Sequence, residues 1–384
     1  MIRTALPLLL AALAAAQTDD PAVLRQRAGA LAGQGRYEQA SVLLNLAVAS
    51  LEKSAGLEDI GLTAPLSELG AIYRAQNRLA DAQKIYERSL AIREKAEGKD
   101  AIGLIPDEKA LAGIYAATGK NTEAELAYLR VIAIREKTKG REDVDLVTDC
   151  TDLAHFYIAH KRFTVAEPNL LRAAAIAEKT FGPVSHALIP PLDALVGIYM
   201  KLSRLADAEA PLRREIAVEE TTYGPAHENV ATYLDRLAMV YFIEKRYADA
   251  QPLYERSLPI WDATLDPDDP SLAASLDNLA VVYAAEQQFA KAEPLYRRAL
   301  AIREKGDVNS MNNLALALEA QDNFPAAEKL YQRAVQLAER IPNLPGKANV
   351  GEDGVLKKTL SNYAILLRKL KRDAEATKLE ARAK

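Results

Sequence analysis

Residues 276–305 read LDNLAVVYAAEQQFAKAEPLYRRALAIREK, and the pattern within this stretch decides the fold. Leu279 and the small Ala280 are followed by Tyr283, and Ala292 is followed four positions later by another bulky apolar residue. Offsets of three and four residues place side chains on one face of an α-helix. The stretch is therefore predicted to form two amphipathic helices joined by a short polar turn.

The same pattern returns every 42 residues along the chain. The alanine of the second helix, which we call the anchor alanine, recurs at Ala40, Ala82, Ala124, Ala166, Ala208, Ala250 and Ala292. The leucine, the small residue and the tyrosine of the first helix keep step with it. A fixed period between about 20 and 50 residues is typical of a solenoid. The predicted fold class is all-α, built from antiparallel helix pairs.

This pattern resembles the tetratricopeptide repeat, whose usual unit is about 34 residues long. Residues 276–280 and 292–305 are similar to the longer, 42-residue type found in kinesin light chains. The resemblance implies a right-handed superhelical solenoid, with first helices lining a concave groove and second helices forming the convex back. It specifies the fold more closely than the function, because one fold serves many functions.

The repeat spacing changes near the C-terminus and sets the domain boundaries. The eighth anchor alanine, Ala327, comes early, and the ninth, Ala376, comes late after a stretch rich in Pro, Gly and Asn. Such composition is typical of a loop. We expect a tetratricopeptide array of about eight repeats at residues 17–340, a loop at 341–354, and a C-terminal repeat with capping helices at 355–384.

The first sixteen residues have the layout of a secretory signal peptide. Arg3 is followed by an apolar run and by Ala14-Ala15-Ala16, a small-residue cleavage site before Gln17. The apolar run is too short to span a bilayer. We expect export to the periplasm or secretion, with no stable membrane insertion after cleavage. A hydrophobic N-terminal cap helix is the alternative interpretation.

Composition and motifs favour neither an enzyme nor a nucleic-acid-binding protein. The formal net charge is −4, whereas nucleic-acid binding needs a basic stripe. No nucleotide, dinucleotide, hydrolase or zinc-protease signature occurs, and the four histidines lack metal-ligand spacing. Cys150 takes the place of a leucine in other repeats, which favours a buried apolar role over a reactive thiol. We expect no catalytic residue, no cofactor and no metal.

Candidate binding residues follow from the groove that the resemblance implies. Side chains three positions before the small residue, and one, four and five positions after it, are expected to face the groove. In the middle and late repeats these positions hold two aspartates and an apolar group, and asparagines stand two positions before the small residue. The candidate peptide-binding residues are Asp235, Asp277, Met239, Phe242, Ile243, Asn278, Asn313 and Asn362.

Each of these sets has a second interpretation. An amide both donates and accepts hydrogen bonds, so the asparagines suit the backbone of an extended peptide. They equally suit bridges between neighbouring helices of the stack. The apolar group at Met239, Phe242 and Ile243 favours a binding surface. In the alternative interpretation, the N-terminal segment or the 341–354 loop folds back and covers this group.

We expect a non-enzymatic scaffold that binds a segment of a partner protein or peptide in the groove. The alternative is a structural subunit or adaptor of a cell-envelope assembly or secretion complex, without a peptide ligand. Neither the partner nor its pathway is specified by the sequence.

The signal peptide gives the first testable prediction. When the full chain is expressed in a Gram-negative host, the mature protein is expected to begin at Gln17, because signal peptidase cleaves after small residues. N-terminal sequencing and the intact mass of the periplasmic fraction measure this. A protein that keeps residues 1–16 and stays in the cytoplasm would support the cap-helix interpretation instead.

Overall fold

A computed structural model of the chain describes residues 20–303, 307–340 and 352–383. The predicted signal peptide and most of the predicted 341–354 loop lie outside the described residues. Within the described ranges there are eighteen α-helices, three short 3-10 helices and no strand. The α-helices are α1 (Pro21–Gly33), α2 (Tyr37–Ala55), α3 (Thr63–Ala75), α4 (Leu79–Glu97), α5 (Ile105–Ala117), α6 (Asn121–Lys139), α7 (Leu146–Ala159), α8 (Phe163–Phe181), α9 (Ile189–Lys201), α10 (Leu205–Tyr223), α11 (Glu228–Ile243), α12 (Tyr247–Thr264), α13 (Pro270–Ala285), α14 (Phe289–Ile302), α15 (Val308–Glu319), α16 (Phe324–Arg340), α17 (Glu352–Lys369) and α18 (Asp373–Arg382).

These helices form nine consecutive pairs, one pair per repeat, with odd-numbered first helices and even-numbered second helices. The prediction of an all-α solenoid of helix pairs is confirmed. The chain divides into two compact units, and the boundary between Ala194 and Leu195 falls within α9. Within each unit, the two helices of a pair pack together, and each second helix then packs on the first helix of the next repeat.

The turn inside each pair contains a residue in the left-handed backbone conformation. Gly35 has a φ of 73°, and non-glycine residues such as Asn77 and Lys245 have φ values of 59° and 60°. A residue with positive φ just past a helix C-terminus reverses the direction of the chain. For a residue with a side chain this conformation costs about 1–2 kcal/mol. It is retained because the packing of the following helix determines the turn.

The anchor alanines lie at the centre of the helix packing. All nine have no solvent exposure: Ala40, Ala82, Ala124, Ala166, Ala208, Ala250, Ala292, Ala327 and Ala376. The small residue of the first helix is equally confined. A Cβ added to Gly70 would lie 2.7 Å from the ring of Tyr86, which follows the anchor alanine of the same repeat by four positions. Small residues are therefore required where the two helices approach closely.

The basic residue four positions before the anchor alanine lies over the tyrosine of the first helix. In repeat 6 the guanidinium of Arg246 is 4.1 Å from the centroid of the Tyr241 ring, and its Nη1 donates to Glu209 of the previous repeat at 3.0 Å. The same stacking recurs at 4.2 Å for Arg78 over Tyr73, at 4.6 Å for Arg162 over Tyr157 and at 4.7 Å for Arg204 over Tyr199. Each such contact contributes about 0.5–1 kcal/mol. The recurring basic residue thus joins the turn to the preceding repeat.

The length of the repeat comes from its second helix and the connection that follows. Helices α2, α4, α6, α8 and α10 each contain 19 residues and end at a glycine with positive φ, such as Gly56 at 99°. In three repeats the connection then forms a 3-10 turn, Ile60–Leu62, Ile102–Leu104 or His186–Leu188. These parts account for a unit longer than the usual 34 residues or so.

The C-terminal repeat begins earlier than the sequence predicts. Helix α17 starts at Glu352, so residues 352–354 are helical and do not belong to the predicted loop. The prediction placed Gly354 in the loop, but glycine in the first turn of a helix interrupts little of its hydrogen bonding. The last helix, α18, has only 10 residues.

The second testable prediction concerns the anchor alanines. Replacing Ala250→Leu is expected to destabilise the protein by about 1–3 kcal/mol, because the added atoms have no space between α11 and α12. Ala248→Leu is the matched control, since Ala248 is exposed on the same helix. Urea denaturation followed by circular dichroism measures both, and equal midpoints would contradict the packing described here.

Candidate functional site

In repeats 6 to 9 the residue that follows the small residue on each first helix is apolar and is exposed or half-buried. Met239, Leu316 and Ile365 are 37%, 38% and 53% exposed, and Val281 at the same position is half-buried. They lie on α11, α15, α17 and α13, and α13, α15 and α17 contact one another in sequence. We call this surface, together with Ile243, Asn278 and Asn313, the first-helix face.

Helix geometry explains the exposure of this row. Ala238, the small residue of repeat 6, has no exposure, and Leu237 and Tyr241 are buried with it against α12. One residue further along an α-helix turns the side chain by about 100°. Met239 therefore leaves the helix-pair interface, and Ile243, four residues later, lies on the same side and is 48% exposed.

Phe242 differs from its two predicted companions. Its side chain is half-buried, and its ring centroid lies 5.5 Å from that of Tyr247 at the start of α12. An aromatic pair of this kind stabilises the fold beyond the area it buries. Phe242 thus supports the edge of the first-helix face and connects it to the second helix of the same pair.

The three predicted asparagines have different surroundings. Asn362 donates from Nδ2 to Oδ1 of Asn312 at 3.1 Å, which joins α17 to α15. This is the bridge between neighbouring helices that the sequence left as one of two interpretations. Asn278 and Asn313 are half-buried and make no hydrogen bond through their side chains within the described parts of the chain. Their amides remain able to pair with a ligand.

Asp235 lies inside the repeat and not on the first-helix face. Its Oδ2 accepts from Nε1 of Trp261 at 2.8 Å and its Oδ1 accepts from Oγ of Ser257, both on α12. Because the helices of a pair run antiparallel, the C-terminal half of α12 covers the N-terminal half of α11. Burial raises the pKa of the Asp235 carboxyl, although these two hydrogen bonds oppose the change.

Asp277 occupies the equivalent place one repeat later. Its Oδ2 accepts from Arg303 at the end of α14 and, at 2.9 Å, from Oγ of Ser310 on α15. In repeat 2 the same place holds Ser67, which donates to Asp107 at 2.6 Å. In these three repeats the position three before the small residue is therefore part of a polar cluster between consecutive helices.

Several further side chains bear on the predicted chemistry. Cys150 is fully buried, and burial raises the pKa of its thiol to about 11, as expected for an apolar core position. No group of three or more His, Cys, Asp or Glu residues in the described ranges is placed to hold a metal ion. No described helix has the length and hydropathy needed to cross a bilayer.

The sequence reasoning missed Val281, Leu316 and Ile365. All three follow the small residue by one position, as Met239 does, so the same rule applied to the late repeats would have found them. On these helices the sequence analysis selected the asparagines three residues earlier and not the apolar residues. The face is therefore more continuous than the predicted set of residues.

Comparison with known families identifies the repeat. A family model described as "Tetratricopeptide repeat" matches residues 19–95, 61–137 and 229–305, and a second model with the same description matches residues 308–341. Together these matches cover more than half of the chain. No functionally curated protein matches the sequence.

Solved structures share the helical-repeat fold. A signal-transduction ATPase with a tetratricopeptide repeat sensor from Pyrococcus horikoshii is 16% identical, with 89% of this chain and 52% of that chain covered and a TM-score of 0.53. The apo form of RapI is 14% identical, with coverage of 94% and 97% and a TM-score of 0.52. A putative kinesin light chain from Podosopora anserina with nearly identical repeats is 25% identical, with coverage of 53% and 97% and a TM-score of 0.45.

The third testable prediction concerns the half-buried carboxylate of Asp235. Asp235→Ala leaves the indole N–H of Trp261 without its acceptor and leaves the Ser257 hydroxyl with only the Tyr254 carbonyl oxygen, which is expected to cost about 1–3 kcal/mol of stability. Trp261 is the only tryptophan, so its emission reports directly on this site. The control is Asp268→Ala in an exposed loop, which is expected to change stability by less than about 0.5 kcal/mol. An unchanged emission and urea midpoint in Asp235→Ala would contradict the placement.

Proposed function

Because the chain belongs to the tetratricopeptide repeat family, whose helical repeats generally serve as protein-interaction scaffolds, we propose that its first-helix face binds a segment of a partner protein. The observation that carries the proposal is the apolar residue at the same position of four consecutive first helices, exposed in Met239, Leu316 and Ile365 and half-buried in Val281. The proposed function is binding alone, with no reaction catalysed.

Exposed apolar side chains arranged in a row favour a protein ligand. Isolated exposed apolar residues are common on soluble proteins, whereas contiguous ones mark interaction surfaces. Met239, Leu316 and Ile365 lie on separate helices of one unit at the same repeat position. Methionine is flexible and polarisable, so it adapts to differently shaped partner side chains.

The amides beside this row supply the polar part of the proposed site. Asn278 precedes Val281 by three residues, and Asn313 precedes Leu316 by three, so each amide shares a helix face with an apolar side chain. An amide offers two donors and an acceptor, which matches the N–H and C=O groups of an extended peptide backbone. The combination suits an extended segment that presents apolar side chains.

Export of the chain remains part of the proposal. The N-terminal layout of a basic start, an apolar run and small residues supports it. The partner is then expected in the periplasm or outside the cell. Extracts of those compartments are therefore the material from which the partner is to be captured.

The fourth testable prediction uses the two most exposed apolar residues of repeat 6. The double variant Met239→Glu and Ile243→Glu is expected to weaken partner binding by about 30-fold, the equivalent of a ~2 kcal/mol contact at an interface centre. Capture from periplasmic extract identifies the partner, and calorimetry with that partner measures the affinity. Leu171→Glu, an equally exposed apolar residue on α8, is the control and should leave binding unchanged.

The asparagines separate binding from folding in the same experiment. Asn278→Ala is expected to weaken capture and leave the urea midpoint unchanged, because its amide has no partner among the described residues. Asn362→Ala is expected to lower the midpoint through loss of the contact to Asn312. If the Glu double variant captures the same partner with unchanged affinity, the first-helix face is not the binding site.

A further inference from the structure

A groove lies between the second helices of repeats 6 and 7, in the second unit and away from the first-helix face. Its volume is about 740 Å³. Helices α12 and α14 form its walls, and Leu279 and Tyr283 of α13 form its floor. We call it the α12–α14 groove. Apolar surface predominates in it, with Leu258, Pro259 and Pro294 among the lining residues.

The repeat architecture provides an internal comparison. A groove at the same repeat positions, four repeats earlier, lies between α4 and α6 and has a volume of about 340 Å³. That groove is lined by four carboxylates and one guanidinium, from Glu87, Glu94, Glu108, Glu123 and Arg130. The α12–α14 groove is larger and less acidic, although both have the leucine and tyrosine of the first helix as their floor.

Three residues of α12 depart from the repeat pattern at the later groove. Pro259 replaces the alanine found at Ala91, Ala133, Ala175, Ala217 and Ala301. Asp262 replaces a glutamate that occupies this position in repeats 2 to 5, and Ala263 replaces Lys95, Lys137 and Lys179. Each of the last two changes shortens a side chain at the rim. The extra space therefore comes from residues that depart from the repeat pattern at this groove.

Two prolines add backbone acceptors to the walls. Pro259 lies inside α12 and Pro294 lies inside α14. Proline has no N–H, so the carbonyl oxygens of Glu255 and Ala290, four residues earlier, lose their helical donors. Residues four apart share a helix face, and all four of these residues line the groove. Each wall thus contains one carbonyl oxygen that lacks its helical N–H donor.

One cation at the rim, Lys291, is available to an anionic group, beside the carboxylates of Glu255 and Asp262 in the same lining. Asp262 accepts two hydrogen bonds from Arg298, at 3.0 and 2.5 Å, and the Glu255 carboxylate accepts from the Tyr283 hydroxyl at 2.7 Å. Lys291 lies over the Tyr283 ring, with Nζ 5.1 Å from the centroid, and has no carboxylate within 4.0 Å in the described ranges. Repeats 2, 3, 5 and 6 have Asp81, Glu123, Asp207 and Asp249 at this position.

We propose that the α12–α14 groove is a second binding site, for a partner segment that presents a large apolar side chain followed by a carboxylate. The apolar side chain lies between Pro259 and Pro294 over Leu279, and the carboxylate pairs with Lys291. Backbone N–H groups of the segment donate to the freed carbonyl oxygens of Glu255 and Ala290. This site is independent of the binding proposed for the first-helix face.

A pair of short peptides tests the proposal on the full chain. The probe is acetyl-Gly-Phe-Asp-Gly-amide, and the comparison peptide has Lys in place of Asp. Saturation transfer from the protein to the Phe ring is expected for the Asp peptide and to be weaker for the Lys peptide. Ala290→Trp fills the groove and is expected to abolish the transfer, whereas Thr122→Trp, the same position in the α4–α6 groove, leaves it unchanged.

The charge has its own pair of variants. Lys291→Glu is expected to weaken binding of the Asp peptide by about three- to fivefold, as for an exposed ion pair. Lys329→Glu, a substitution of an exposed lysine on α16 outside the groove, makes the same charge change and is expected to have no effect.

Equal transfer to both peptides, or transfer that survives Ala290→Trp, would overturn the proposal. Loss of transfer in Met239→Glu alone would place the peptide on the first-helix face, so this inference would fail and the proposed function would stand.

Discussion

The close approach of the two helices in every pair is the constraint on which the other features depend. The anchor alanines have no exposure in any of the nine repeats, and Gly70 leaves no space for even a Cβ against the Tyr86 ring. Helices that approach this closely must have small residues at the contact point. The fixed contact in turn determines which side of the first helix meets its partner and which side remains open. The first-helix face is the open side.

Polar contacts supplement the apolar packing between consecutive repeats, and the residues that make them vary along the chain. Arg246 connects Tyr241 to Glu209, whereas Asp277 connects Arg303 to Ser310. Buried polar groups need hydrogen-bond partners, so each change on one helix is accompanied by a suitable group on the next. Stability in such an array is a sum of repeat and neighbour contributions. One repeat can therefore depart from the pattern, as repeat 6 does at Pro259, without loss of the fold.

Much of the fold was predictable, because it depends on local spacing. The helix pairs, their turns and the buried role of Cys150 follow from offsets along the chain. The binding residues were only partly predictable. Met239 and Ile243 are exposed as expected, but Phe242 packs on Tyr247 and Asp235 is held by Trp261. The start of α17 at Glu352 was not predicted, because glycine is typical of loops and Gly354 nevertheless lies in the first turn of this helix.

The sequence by itself determined the family, the helix pairs and the period of 42 residues, because these depend on side-chain spacing within one helix and on turns between neighbours. Only the tertiary structure decided which polar residues are available to a ligand. Asp235 and Asn278 stand one position apart in their repeats and both are half-buried. The Asp235 carboxylate accepts two hydrogen bonds from α12, whereas the Asn278 amide has no hydrogen-bond partner among the described residues. The physical reason is that the availability of a side chain depends on which residues of the helix packed against it lie within hydrogen-bond distance, and spacing within one helix does not specify this.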